Sequence, residues 1–206
     1  MKKNIIITGG SSGLGNFLAR KLEKENNNVI NLSRKNIKNL KSFQCDLTNE
    51  FELELSFKKI KKQYKKIDCI IFCAGKSSFK TKNIQTRWMQ SLKDNLLSVV
   101  FTIDTFSRFY KMKKLDIIIF SSIAGKKILT DAPIEYSVSK SALNFYGKFI
   151  SKKFSKNQVR INIISPGNIL LKDNNWFWRL KKNKQKTLNY INKNVPTKKF
   201  CDPNSI

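Results

Sequence analysis

Apolar residues along the chain follow two alternating patterns: short continuous runs, and longer stretches with helical spacing. Asn4-Ile5-Ile6-Ile7-Thr8 is the first run, and it ends in a Gly/Ser cluster. Leu14, Phe17, Leu18 and Leu22 then recur at helical spacing, which predicts a helix over Leu14–Glu25. Further apolar runs predict strands at Asn28–Ser33, Leu40–Cys45, Ile67–Cys73, Leu115–Phe120 and Val159–Ile164. Helices are predicted from a cap at Thr48 or Asn49 through Tyr64, over Met89–Tyr110 and over Glu135–Phe154. Strands that alternate with helices and are apolar throughout imply a parallel sheet covered on both faces. Right-handed crossovers make it a doubly wound α/β sheet of Rossmann type, with ligands at the carboxyl ends of the strands. The 206 residues suit one domain, 1–206. Lys172–Lys199 is polar and Lys-rich around Trp176-Phe177-Trp178, and reads as a partly helical excursion over the sheet edge.

Charge adds a second possibility. Lys+Arg is 41 against Asp+Glu 14, a net +27, and such a field attracts nucleic acid or anionic lipid. Only six of these are Arg: Arg20, Arg34, Arg87, Arg108, Arg160 and Arg179. Lys, Asn and Ile are abundant together, as in the coding bias of an AT-rich genome, and the basic residues are dispersed. No specific nucleic-acid or membrane partner is therefore expected. The absence of His excludes Ser-His-Asp triads and His-ligated zinc, and no metal is expected. Cys45, Cys69, Cys73 and Cys201 form no CxxC pair. Met1-Lys2-Lys3 runs straight into a strand and no apolar stretch reaches membrane length, so a cytoplasmic location is expected.

Two clusters carry chemistry. Thr8-Gly9-Gly10-Ser11-Ser12-Gly13-Leu14-Gly15 joins a strand to a helix, where glycines let backbone approach a pyrophosphate that helix N–H groups stabilise. Tyr136 and Lys140 lie four apart on a predicted helix and so share a face. An ammonium there is expected to lower the phenol pKa, fitting Tyr136 to acid–base work. The second strand ends Ser33-Arg34 with no acid nearby. Arg34 can pair with a ribose 2′-phosphate and Ser33 can donate to it, favouring NADP(H) while leaving NAD(H) open.

The chain resembles the short-chain dehydrogenase/reductases, near their 3-oxoacyl-carrier-protein reductase branch. TGGSSGLG (Thr8–Gly15) matches the family's cofactor loop; Asp46-Leu47-Thr48 looks like its adenine contact; Cys73-Ala74-Gly75 resembles its NAG turn, with Cys for Asn. Asn95, Ser121-Ser122-Ile123-Ala124-Gly125, the YxxxK motif Tyr136–Lys140 and Pro166-Gly167 follow in order. The resemblance implies hydride transfer between NADP(H) and a carbonyl/alcohol pair. Tyr136 would be the proton donor and Lys140 its tuner and ribose contact. Ser122 would hold the reacting oxygen, and Asn95 would anchor a water linking Lys140 to solvent. It implies cofactor contacts at Thr8, Gly9, Ser11, Ser12, Gly13, Leu14, Gly15, Asp46, Leu47, Cys73, Ala74, Gly75, Pro166 and Gly167. A Thr common after Pro-Gly is replaced, leaving Ile169 only its backbone to offer. A homodimer or homotetramer is implied, through the helices carrying Asn95 and Tyr136. Relatives continue by about 40 residues past the position of Ile206, judged by domain length, so the last strand is expected to be missing. Trp176, Phe177 and Trp178 are either a lid over the substrate or ordinary packing. A 3-oxoacyl thioester is one substrate class. A cofactor-binding regulator without catalysis, or a basic surface-binding protein, remains open.

Overall fold

The computed structural model describes residues 2–172 and 174–206. Met1 and Asp173 lie outside the described residues, so the readings of the amino terminus and of the 172–199 excursion apply only to their described parts.

Six strands form one parallel sheet: β1 Asn4–Thr8, β2 Asn28–Ser33, β3 Lys41–Gln44, β4 Cys69–Phe72, β5 Leu115–Phe120 and β6 Val159–Ile164. Their order is β3-β2-β1-β4-β5-β6, with no seventh strand among the described residues. Ile6 stands between Ile30 and Ile70, and Ile70 beside Ile117, so one apolar row crosses the sheet in register. Successive strand residues point to opposite faces. Ile6, Ile30, Ile70 and Ile117 bury against helices α2 (Glu50–Gln63), α4 (Ser98–Phe109) and α5 (Ile134–Phe154). Ile5, Ile7, Val29, Cys69 and Ile71 pack on the other face with Leu18, Ala19 and Leu22 of α1 (Gly13–Lys24). The larger core is aromatic: Phe57 sits edge-on to Phe106 at 5.8 Å, and each is fully buried. Such burial stabilises by about 1.5–3 kcal/mol per side chain.

Asn49, not Thr48, caps α2: its side chain accepts from the Glu52 N–H at 3.2 Å and donates to the Glu52 carboxylate at 3.1 Å. The expected helix over Met89–Tyr110 is interrupted. It starts earlier, as α3 (Ile84–Leu92) capped by Asn83, then passes through a π-helical turn at Lys93–Leu97 before α4. The wider turn directs Asn95 inward, where it is fully buried. The excursion after β6 forms α6 (Asn175–Lys182) and α7 (Lys184–Asn194), then returns to bridge Cys201 to Ile169. No helix is long and apolar enough to cross a membrane among the described residues.

β1 lies between β2 and β4, so the winding reverses there and opens a crevice at the carboxyl ends of the strands. The predicted site residues at 8–15, 33–34, 73–75, 122 and 166–169 lie at or just after the carboxyl ends of β1, β2, β4, β5 and β6.

Candidate active site

The turn from Thr8 to Gly15 is built around close approach. Gly9 has φ 67°, and a Cβ there would sit 2.7 Å from Ala74 Cα. The buried Thr8 locks this contact: its carbonyl accepts from the Cys73 N–H at 3.2 Å and its Oγ1 from the Ala74 N–H at 3.4 Å. The two predicted cofactor turns, 8–15 and 73–75, are thus one unit. Gly13 opens α1 at φ 53°, with no atom within 4 Å of where its Cβ would be. The Ser12 side chain makes no capping bond, so it does not occupy the first-turn N–H groups. Open space before an uncapped helix start fits a phosphate group. Ser11 is half-buried beside it and Ser12 is exposed.

At the end of β2 the two candidates part. Arg34 is exposed, whereas Ser33 is buried. The Ser33 hydroxyl donates to the Lys35 carbonyl at 2.8 Å and lies 3.1 Å from Asn31 Oδ1. The expectation that it donates to a ribose phosphate therefore needs correction: Ser33 ends a strand buried on both faces, and its one hydroxyl proton is engaged by the Lys35 carbonyl. Asp46 accepts from both the N–H and hydroxyl of Thr48, at 2.9 and 2.8 Å. Burial raises its carboxyl pKa, but these bonds, with Arg34 and Lys93 nearby, outweigh that and hold it below the usual range. Leu47 beside it is buried.

Ser122, Tyr136 and Lys140 meet in one cleft of about 800 Å³, which Leu14, Cys73, Gly75, Asn95, Pro166, Gly167 and Ile169 also line. Ser122 follows β5 in extended backbone and its Oγ accepts from the Ala124 N–H at 3.2 Å. Tyr136 and Lys140 project from the first turns of α5. The buried Lys140 Nζ donates to the Phe120 carbonyl at 2.9 Å and lies 6.0 Å from the Tyr136 ring centroid. Burial brings its pKa down to about 8. The expected lowering of the Tyr136 pKa is not found in this arrangement. Burial pushes the phenol up, and only the Ser122 hydroxyl counters it. The ammonium donates to the Phe120 carbonyl, and the cost of burying a phenolate prevails.

Asn95 was predicted, but its partners were not. Its Nδ2 donates to the carbonyls of Lys76 and Ser91 at 2.9 and 3.0 Å, and its Oδ1 accepts from the Lys76 N–H at 2.9 Å. A Cβ on Gly75 would lie 2.7 Å from Asn95 Oδ1 and 3.3 Å from Lys140 Nζ, so this turn fits closely against both side chains. Beneath them the hydroxyls of Ser91 and Ser139 lie 2.9 Å apart, and both reach the Glu135 carbonyl. Their spacing, Ser91 four before Asn95 and Ser139 between Tyr136 and Lys140, is the signal that could have found them.

Trp176 and Trp178 line the outer cleft, but Phe177 does not; it packs edge-on against Trp178 at 5.4 Å. Asn175 Nδ2 donates to Ser77 Oγ at 2.7 Å, joining α6 to the turn after β4. The Ile169 carbonyl is taken by Asn174 Nδ2 at 2.7 Å. Arg179, Lys182, Tyr190 and Asp131 complete the wall, none of them predicted. Burial raises the Cys45 thiol to about 11 and Cys69 to about 12, and lifts Cys73 too, so these read as packing groups.

A sheet switch point, a glycine turn and a Ser–Tyr–Lys cleft together invite comparison with known proteins. The family model described as short chain dehydrogenase matches residues 3–182. Carbonyl reductase family member 4 of Xenopus laevis is 25% identical, over 100% of this chain and 88% of its own length. The 3-oxoacyl-[acyl-carrier-protein] reductase of Buchnera aphidicola is 28% identical, over 97% of this chain and 84% of its own. A short chain dehydrogenase from Leptospira borgpetersenii, solved with bound NAD+, superposes with TM-score 0.83 at 24% identity, over 99% of this chain and 82% of its own. With its family model spanning most of the sequence and its motifs gathered at one sheet edge, the chain belongs to the short-chain dehydrogenase/reductase family.

Proposed function

We propose that this protein is an oxidoreductase passing a hydride between NADP(H) and a carbonyl/alcohol pair. The observation that carries the reading is the convergence of Ser122, Tyr136 and Lys140 in the cleft beside the 8–15 turn. The open first turn at Gly13 would take the pyrophosphate, with Asp46 and Leu47 at the adenine and Arg34 at the 2′-phosphate. Lys140 would hold the nicotinamide ribose, and Cys73, Ala74, Gly75, Pro166, Gly167 and the Ile169 backbone would flank the ring. Bound NADP(H) supplies the hydride. Tyr136 Oη gives a proton to the substrate oxygen in reduction and takes it back in oxidation. Ser122 Oγ orients that oxygen and stabilises its developing charge. Lys140 compensates the phenolate left behind, and the second lone pair of Asn95 Oδ1 serves a water that links Lys140 to solvent. Ketones and 3-oxoacyl thioesters, tested with NADPH and followed by cofactor oxidation, are the first substrates to try. No Tyr136-dependent turnover of any of them would contradict the reading.

The choice of NADP(H), with NAD(H) taken more weakly, rests on Arg34. Arg34→Asp is expected to weaken NADPH binding by tenfold or more while leaving NADH within a few fold, since only the phosphate ion pair is lost. Titration of both cofactors checks this; equal affinities in the native protein would contradict it.

A homodimer or homotetramer is supported by α5, which exposes Ile134, Val138, Phe145 and Phe149 along one face. Phe145 is 74% exposed. Phe145→Glu is expected to shift sedimentation toward the monomer. A native protein that already sediments as a monomer would contradict this assembly.

A further inference from the structure

Arginine is scarce in this chain, and four of the six are accounted for by carboxylates. Arg20 pairs with Glu23 at 3.6 Å, Arg87 with Glu135 at 3.2 Å, Arg108 with Glu50 at 2.8 Å and Arg160 with Asp116 at 2.7 Å. Among the described residues Arg34 and Arg179 have no such partner. Arg34 stands at the 2′-phosphate position. Arg179 stands in the wall of the cleft that holds Ser122 and Tyr136.

Arg179 is also held in place. Its guanidinium lies 4.7 Å from the Trp176 ring centroid and 5.5 Å from that of Tyr190, and the two rings are 5.4 Å apart. Cation–π contact with the two rings restrains the exposed guanidinium while leaving its N–H donors for an acceptor in the cleft. Lys76 and Lys182 line the same cleft. Asp131 is the one acid among the described lining residues; burial first and then Asp131 push the Tyr190 phenol up to about 12. Abundant lysine explains a basic surface, but not an arginine set against two aromatic rings in the wall of the cleft that holds the reacting residues.

We infer that the carbonyl substrate carries an oxyanion, a carboxylate or a phosphate, which Arg179 binds at the outer wall of the cleft while Ser122 and Tyr136 hold the carbonyl. The inference rests on the reading of this cleft as a carbonyl-reducing site.

The test compares two matched pairs with NADPH: acetoacetate against methyl acetoacetate, and dihydroxyacetone phosphate against dihydroxyacetone. In the native protein the charged member of at least one pair is expected to have the higher kcat/KM, by about tenfold. The responding pair tells carboxylate from phosphate. In Arg179→Gln the charged-to-neutral ratio falls about tenfold, through KM, and Arg179→Lys restores part of it. Binding gives an independent readout. With NADP+ present, the preferred anion should quench tryptophan fluorescence saturably in the native protein and not in Arg179→Gln. No charge preference, an unchanged ratio in Arg179→Gln, or no saturable quenching by either anion would overturn the inference. Tyr136-dependent reduction of neutral ketones without charge preference would overturn it alone and leave the oxidoreductase reading standing. No reduction and no cofactor binding would sink both.

Discussion

Tyr136→Phe is expected to slow carbonyl reduction by a hundredfold to about ten-thousandfold, the span of a positioned general acid. The substitution removes one oxygen. The ring keeps its place on α5, so NADPH binding should change little, and a cofactor titration separates lost chemistry from lost binding. The pH profile adds a second check. Burial raises the Tyr136 phenol and lowers Lys140 to about 8. At neutral pH Tyr136 therefore carries the proton to be given, and Lys140 is still largely charged. As pH rises through about 8 the ammonium is lost, and with it the charge that stabilises the phenolate formed during transfer. Reductive kcat/KM is expected to be level below that pH and to fall above it. A profile that rises through this range would contradict the assigned roles, as would equal rates in the native and Tyr136→Phe proteins.

Gly9→Ala is expected to be the most destabilising of the single substitutions considered. Two costs add. A φ of 67° burdens any residue with a Cβ by about 1–2 kcal/mol, and the new methyl would meet Ala74 backbone at 2.7 Å. Neither side can yield easily, because Thr8 ties both turns together. Forcing an atom into such a packed site costs about 1–3 kcal/mol more. Urea unfolding should therefore show a loss of roughly 2–5 kcal/mol, the upper end enough to unfold a marginal domain. Gly13→Ala is the control. Its φ of 53° imposes the same conformational cost, but nothing lies within 4 Å of the new methyl. It should lose only about 1–2 kcal/mol. Equal losses in the two variants would show that the close approach at Gly9 does not matter.

The parts of the fold visible in the sequence are those that local pattern determines. The runs at β1, β2 and β5 are apolar enough to announce buried parallel strands, β6 is the edge strand with Arg160 and Asn162 exposed, and the observed bounds of all four match. The π-helical turn at Lys93–Leu97 was not visible because Leu92, Leu96 and Val99 keep helical spacing across it, and the bonds from Asn95 to the Lys76 backbone join residues 19 positions apart. Likewise, Tyr136 and Lys140 share a helix face by their spacing alone. Their proton affinities depend on burial and, for Tyr136, on the Ser122 hydroxyl, which only the tertiary structure supplies. Ser33 and Arg34 looked equivalent as neighbours, yet Ser33 is the last residue of a strand buried on both faces and Arg34 lies in the exposed bend that follows it. Arg179 gave no signal, because its setting comes from Trp176 on its own helix and Tyr190 on the next.

The central claim is that one site delivers a hydride from the cofactor and a proton through Tyr136. Reduction with NADPH deuterated at the transferable nicotinamide position, followed by mass analysis of the alcohol, tests it most directly. The account predicts one cofactor-derived deuterium on the carbinol carbon in the native product, and a rate cut at least a hundredfold in Tyr136→Phe. Alcohol formed without that deuterium, or formed equally fast by the Tyr136→Phe protein, would contradict it.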